Sequence, residues 1–341
     1  MLVTDLVNVR YLTGFTGSNA AVLVYAVQDA PALLATDGRY RTQAARQAPD
    51  VRVEIERACG PHLAALAAAD GATRLGFESH VVTVDGYDKL LKAAGDVELV
   101  RASGTVENLR EIKDDGEKAL LRLACEAADA ALADLITRGG VRPGRTEREV
   151  GRELEALMLD HGADGVSFET IVAAGPNSAV PHHRPTDAEL ATGDFVKIDF
   201  GALVGGYHSD MTRTFVLGAP AQWQLDIYGL VAAAQQAGRD ALAPDVACKD
   251  VDAAARSMIA DAGYAENFGH GLGHGVGLQI HEAPGISALS NTALRTGSAV
   301  TVEPGVYLPD RGGVRIEDTL IVGTEGPELL TRFPKELTVL D

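Results

Sequence analysis

The apolar positions of this chain change their pattern near residue 108. Before it, short runs of strand length alternate with helix-like segments. Residues 20–27 read as a buried strand, followed by a turn at Pro31 and a second run over 32–35. Residues 61–69, rich in alanine and leucine, read as a helix closed by Asp70-Gly71, and 75–78 and 97–100 as further short strands. Such alternation predicts a small α/β domain. A polar stretch, 108–116, then ends in Asp114-Asp115, residues suited to capping a helix. The helix that follows has Leu120, Leu123, Ala127 and Ala131 on one stripe. Another starts at Thr146, with Glu149 completing a capping box. Val150, Leu154, Leu157 and Met158 keep helical spacing, and Gly162 ends it. A similar helix begins near residue 249, with Val251, Ala255, Met258 and Ile259 as its stripe and Gly263 as its stop. The expected division is therefore 1–110 and 111–341, the second part built from two related halves.

Composition narrows the class without changing this picture. The 341 residues suffice for two domains, and 46% hydrophobic with 23% charged residues is ordinary for a globular chain. A net charge of −18 disfavours nucleic acid and anionic lipid as partners. Cys59, Cys125 and Cys248 are far apart and form no CxxC, so free thiols in a reducing compartment are expected. Asp5 and Arg10 break any signal-peptide layout, and the longest uncharged stretch, 11–28, lacks the sustained apolarity of a membrane span. A cytoplasmic protein is the expectation.

Five residues carry the chemistry: Asp199 in KIDFGA, Asp210 in YHSDMTRT, His274 in GHGLGHGVG, Glu303 in TVEPGVY and Glu317 in GVRIEDT. Four are carboxylates in apolar or glycine-rich surroundings, where an unneutralised charge is costly. Two divalent cations would balance them, and hydrolysis is the natural use of such a pair. With a tight turn at Gly205-Gly206, Asp199 falls opposite Thr212, and Asp199 and Asp210 become diagonal neighbours on one face. The plainer reading of either aspartate is an exposed strand carboxylate. Asp199-Phe200-Gly201 matches the kinase metal motif, but no HRD loop or GxGxxG accompanies it. Glycines 269, 271, 273, 275 and 277 miss the dinucleotide spacing, and His281-Glu282 does not continue to HExxH. His270, His274 and His281 lie close enough in sequence to suggest shared chemistry. Residues 300–303 and 314–317 each read as a strand ending in a glutamate, with Arg315 and Glu317 on one strand face. Arg315 is either an ion-pair partner or a substrate contact. The loop Pro181-His182-His183-Arg184-Pro185 is either plain surface or a wall of the cleft.

The stretches NVRYLTGFTGS, TDGRYRTQA, KIDFGALVGGYHSDMTRTF, GHGLGHGVGLQIHE, TVEPGVYLP and GGVRIEDT together resemble the pita-bread metallopeptidases. That family includes Xaa-Pro aminopeptidases, Xaa-Pro dipeptidases (prolidases), methionine aminopeptidases and creatinase. The amino-terminal match favours the two-domain, proline-specific branch. The resemblance implies a mixed α/β (α+β) fold: a creatinase-like N-terminal domain, then a pita-bread catalytic domain with a curved antiparallel sheet and outer helices. It implies two divalent ions, manganese first, with cobalt or zinc as alternatives. Asp199 would chelate one ion, Asp210 and Glu317 bridge both, and His274 and Glu303 complete the second site. Glu303 would also handle a proton. His182 and His281 would position substrate and stabilise the tetrahedral intermediate, His270 would support them, and Tyr307 and Arg315 would contact substrate or ligands. His183 matches no catalytic position.

The implied substrates are peptides with proline second. Aminopeptidase P activity is the main expectation. The alternative is a dipeptidase, with Arg184 or Arg315 clamping the substrate carboxylate. A creatinase-like hydrolase and a non-catalytic binding module are remoter, since both branches do without the ligand set. A homodimer is implied as well. One departure stands out: relatives begin with an amphipathic helix, whereas Met1-Leu2-Val3-Thr4 already lie in the strand that should follow it. An effect on packing and assembly of the first domain is the corresponding expectation.

Overall fold

Contacts among the residues described by the computed structural model, 1–26 and 30–341, divide the chain into two units, Met1–Arg110 and Glu111–Asp341. The first runs β1 (Leu2–Val3), α1 (Leu6–Thr13), β2 (Ala20–Leu23), β3 (Leu33–Thr36), α2 (Arg41–Gln47), β4 (Arg52–Ile55), α3 (Cys59–Ala69), β5 (Arg74–Phe77), α4 (Val84–Ala94), β6 (Glu98–Arg101) and α5 (Glu107–Arg110). Its sheet has the order β4-β3-β2-β1-β5-β6, antiparallel across β1, β2 and β3 and parallel outside them. The strand expected over 20–27 stops at Leu23, and its far end, Val27, lies outside the described residues. Four helices went unread: α1, α2, α4 and the single turn of α5. In α1 the β-branched and aromatic residues of VNVRYLT hide the helix. Its boundary signals were legible, because Asp5 accepts from Val7 N and Asn8 N while Gly14 ends the helix at φ 74.

The second unit begins with α6 (Asp115–Thr137) and α7 (Glu147–Asp160), both started by the capping boxes the sequence predicts, at Asp114/Glu117 and Thr146/Glu149. The stripe of α6 is met in its second half only: Ala127 and Ala131 are buried as expected, but in the first half Leu121, Ala124 and Cys125 are buried, whereas Leu120 is half-buried and Leu123 is 50% exposed. Alanine-rich helices offer several stripes of similar apolarity, so the pattern alone could not choose. The first half then continues as β7 (Gly165–Val166), β8 (Ile171–Ala174), β9 (Phe195–Phe200), β10 (Ala202–Val204), β11 (Tyr207–His208) and β12 (Met211–Leu217). The second half repeats helices and strands as α8 (Gln222–Asp240), α9 (Cys248–Asp261), β13 (Gly273–Gly275), β14 (Glu282–Ile286), β15 (Ala299–Val302), β16 (Gly305–Leu308), β17 (Gly312–Arg315) and β18 (Asp318–Ile321).

Hydrogen bonds support the two-halves reading. Thr146 bridges Glu189 just as Ala247 bridges Ala293, each immediately before a helix. Leu190 N donates to Arg145 O at 2.8 Å, and Leu294 N to Val246 O at 2.9 Å. In each half a helix pair covers a sheet. The first core joins Leu132, Leu154 and Met158 to Val172, Ile198 and Phe215; the second joins Ile227, Val231 and Val251 to Val300, Val302 and Leu320. The arrangement is the one the pita-bread resemblance implies, and it places two antiparallel strand pairs, β9/β12 and β15/β18, at equivalent points.

Candidate metal centre

The four carboxylates stand where these strand pairs end. Asp199 is the fifth residue of β9 and Glu303 the first beyond β15. Asp210 and Glu317 immediately precede β12 and β18. Each half thus contributes one carboxylate from the outgoing strand and one from the returning strand. In the first half the returning path is fixed by the turn at Gly205 and Gly206, whose φ values of 55 and 83 form the mirror-image turn that suits a two-residue hairpin. Leu203 pairs with His208, and in the same register Asp199 pairs with Thr212, as the turn predicts. The second half differs from expectation. Arg315 ends β17 and Glu317 lies in the break before β18, so the two do not share one strand. They meet instead at Thr212, whose hydroxyl donates to Glu317 Oε2 at 2.6 Å and accepts from Arg315 Nε at 3.0 Å.

His274 lies in β13. Its Nδ1 sits 2.9 Å from Gly275 O, an atom that can only accept, so Nδ1 carries the proton. Nε2 therefore presents its lone pair to Asp210 Oδ2 at 3.5 Å and Glu303 Oε1 at 3.4 Å. Burial pushes the His274 pKa down to about 4, so protonation does not resolve this confrontation near neutral pH. The carboxylates are under the same pressure. Burial, then the neighbouring Glu317, Asp199 and Glu303, push Asp210 well above the usual carboxylate range. Burial, then Glu303 and Asp199, do the same to Glu317. Glu303 is raised to about 7 by burial, against the opposing pull of Arg315. Among the described residues the buried Asp199 Oδ1 has no hydrogen-bond partner. Asp210, His274 and Glu317 each offer a ligand atom, all within 4.8 Å of one another. A lone pair facing carboxylates, an orphaned carboxylate oxygen and clustered like charges all suit divalent cations with oxygen-rich ligation and one imidazole.

Three supports hold this cluster, and the sequence reading missed most of their members. Arg315 donates through Nη2 to Asp199 Oδ2 and through Nη1 to the Tyr307 hydroxyl at 2.9 Å and Pro181 O at 3.2 Å. The Tyr307 hydroxyl can then donate to His270 Nε2 at 2.8 Å, because His270 Nδ1 is committed to Gly271 O. Asp318, beside Glu317, is a buried anion held by Arg213 at 2.9 Å, Lys335 at 2.8 Å and Gln235 at 2.8 Å. Thr301 bonds both His274 N, at 3.1 Å, and Glu303 Oε1, at 3.3 Å. For Thr212 a sequence signal existed: the turn register already set it against Asp199. For Arg213, Thr301 and Asp318 it did not, since each looks like an ordinary strand residue.

The cluster forms the floor of a cavity of about 590 Å³. His182, His270 and His281 line it with the five acidic and imidazole residues, together with Phe168, Ile171 and Ile280. The His281 ring lies edge-on to His274, with centroids 4.4 Å apart. Tyr307 stands behind the wall. His183 also borders the cavity, but its Nε2 turns away to Glu147 at 2.8 Å. Arg184 pairs with Glu169 at 3.2 Å, and both are exposed, with the Arg184 side chain 84% accessible.

A fold of two related halves with buried candidate metal ligands at its strand ends suits a metal-dependent hydrolase. Residues 119–324 match metallopeptidase family M24, and residues 1–112 match the creatinase/prolidase N-terminal domain. The chain belongs to metallopeptidase family M24. It is 41% identical over 270 residues to an Xaa-Pro dipeptidase of Pyrococcus horikoshii, covering 79% of this chain and 76% of the relative. The structure of an Xaa-Pro dipeptidase from Bacillus anthracis superposes with a TM-score of 0.94 at 42% identity, covering 99% of this chain and 94% of the other. An X-Pro aminopeptidase from Thermotoga maritima superposes at 0.91 with 33% identity, covering 99% and 96%. Among the described residues no helix is long and apolar enough to cross a membrane.

Proposed function

We propose that this chain is an Xaa-Pro dipeptidase of the prolidase type, rather than the aminopeptidase P that its sequence motifs first suggest. The relatives named above lean toward dipeptidases. The observation that carries the reading is the state of the cations at the cavity. Among the described residues lining it, Arg184 and Arg315 are the arginines. Arg315 is buried and engaged with Asp199, Tyr307, Thr212 and Pro181. Arg184 stands at the mouth in an exposed pair with Glu169, and such a pair is worth little, so a substrate carboxylate can displace the glutamate. A dipeptide brings its carboxylate one residue beyond the scissile bond; a longer peptide does not.

Asp199, Asp210, His274, Glu303 and Glu317 would hold the two ions, with manganese preferred over cobalt or zinc on ligand type. Bound there, the ions would polarise the scissile carbonyl and make water acidic enough to attack it near neutral pH. Glu303 would accept the water proton and return it to the leaving proline nitrogen. His182 and His281 would bind the substrate and the negative charge that develops on its carbonyl oxygen. Phe168, Ile171 and Ile280 supply apolar surface for a proline ring, which brings no N–H to satisfy.

Hydrolysis of Xaa-Pro and Xaa-Pro-Yaa by the manganese-loaded protein tests this. The expected result is kcat/KM at least about tenfold higher for the dipeptide. In Arg184→Gln, KM for the dipeptide rises about tenfold, the equivalent of about 1.4 kcal/mol, while an Xaa-Pro amide is unaffected. Faster cleavage of the tripeptide restores the aminopeptidase reading.

A further inference from the structure

The loop that carries His182 is gripped by buried charges on both sides. Glu147, the first residue of α7, is 0% exposed. The helix start does not need it, because Thr146 Oγ1 accepts from Glu149 N and the Glu149 side chain accepts from Thr146 N. Glu147 turns inward instead, and both of its oxygens are occupied. Oε1 accepts from Ala174 N at 2.9 Å and Asn177 Nδ2 at 3.0 Å. Oε2 accepts from His183 Nε2 at 2.8 Å, Thr186 N at 2.9 Å and Thr186 Oγ1 at 2.8 Å. These partners bracket residues 175–185. On the opposite flank the buried Lys197 donates to Val180 O at 2.7 Å and Pro181 O at 3.3 Å, and Arg315 donates to Pro181 O.

An exposed loop needs no buried ions to hold it, and burying a carboxylate is costly unless its hydrogen bonds are complete. Here they are complete, and they converge on the segment holding one side chain of the cavity wall. Glu147 itself does not line the cavity and touches none of the five candidate ligands.

We propose that Glu147 is a positioning residue: it fixes the 181–186 loop so that the His182 imidazole is already in place when charge develops on the substrate carbonyl. The proposal rests on the role given to His182 above. A donor held in advance needs no reorganisation at the moment of reaction, and displacement by about 1 Å costs roughly 10²-fold in rate. Glu147→Gln keeps the shape but sets an amide N–H₂ against one of the two groups of donors.

The test uses the full-length, metal-loaded enzyme in four forms: wild type, Glu147→Gln, His182→Ala and the double variant. Glu147→Gln should lower kcat by about 10- to 100-fold, change KM by less than about threefold and leave the bound metal unchanged. In the His182→Ala background it should cost less than about twofold more, the non-additivity of groups acting together. Where His182→Ala is itself impaired, an equal loss from Glu147→Gln in both backgrounds overturns the proposal. A second readout does not use activity. In the zinc-loaded protein, the His182 Cε1–H resonance should shift or broaden in Glu147→Gln but not in Glu149→Gln; an unmoved resonance overturns the proposal. If His182→Ala is fully active while the resonance responds, the positioning stands and the catalytic role of His182 fails. Should Glu147→Gln not fold, Thr186→Val, which removes one of the five donors, takes its place in both measurements.

Discussion

Glu303→Gln should lower turnover by at least about 10²–10⁴-fold, the range of a lost general acid–base group, and should at the same time stabilise the metal-free protein. The two effects share one cause. Glu303 follows β15, where its backbone N–H bonds Leu272 O at 2.8 Å and holds the side chain against His274. Burial first, with Asp199 adding repulsion and Arg315 opposing it, raises its pKa from 4.5 to about 7. Without metal this makes the carboxylate a liability, whereas a cation bound beside it would hold it ionised and able to take a proton from water. Below pH 4.5 Glu303 is protonated in both folded and unfolded chains. As pH rises toward 7 the unfolded chain releases the proton while the folded one retains it, so stability falls, and the loss levels off above about pH 7. Glutamine carries no such penalty, at most about 3 kcal/mol. Melting temperatures of the chelated proteins should therefore coincide near pH 4 and diverge in favour of the variant up to pH 7. Equal melting temperatures throughout would refute the electrostatic part of the account; undiminished turnover would refute the catalytic part.

Arg315→Met should destabilise the metal-free protein by about 3–5 kcal/mol, the usual cost of removing one partner of a buried ion pair. Arg315 is 2% exposed, and its guanidinium holds Asp199, the Tyr307 hydroxyl, the Thr212 hydroxyl and Pro181 O. Methionine fills much of the volume but leaves Asp199 as an uncompensated buried anion. Lysine restores charge but not the fork, so Arg315→Lys should recover only part of the loss. Saturating manganese should recover more, because a cation at Asp199 replaces the missing charge. Denaturant titrations with and without metal measure this. A loss under about 1 kcal/mol would mean that Arg315 does not neutralise Asp199 in the metal-free protein, and a loss that metal does not reduce would mean that no cation binds beside Asp199.

The five candidate ligands were legible because each sits in a context that makes little sense for an unaided carboxylate or loop histidine. The hairpin between Asp199 and Asp210 was legible down to its register, since two glycines with positive φ leave one compact way for the strand to return. What failed to show was cooperation across the chain. Thr212 reaches Glu317 and Arg315 from another strand pair, and Glu147 reaches His183 and Thr186 from the start of a helix. No local period announces such contacts. The break between Arg315 and Glu317 was invisible for a related reason: 314–317 reads as one strand, yet β17 ends at Arg315 and Glu317 N turns to Thr212 O, beside β12, before β18 begins. Peptide length was not legible because the motifs record the candidate ligands, whereas the dipeptidase reading proposed above rests on Arg184, whose exposed pair with Glu169 no motif announces.

The claim on which all of this depends is that the five residues hold a pair of divalent cations. Equilibrium dialysis of the full-length chain against manganese, followed by elemental analysis, measures it directly. The account predicts two ions per chain in the wild type and a loss of at least one in Asp210→Asn. A wild-type chain that retains no ion, or an Asp210→Asn chain that retains as many as wild type, would contradict it.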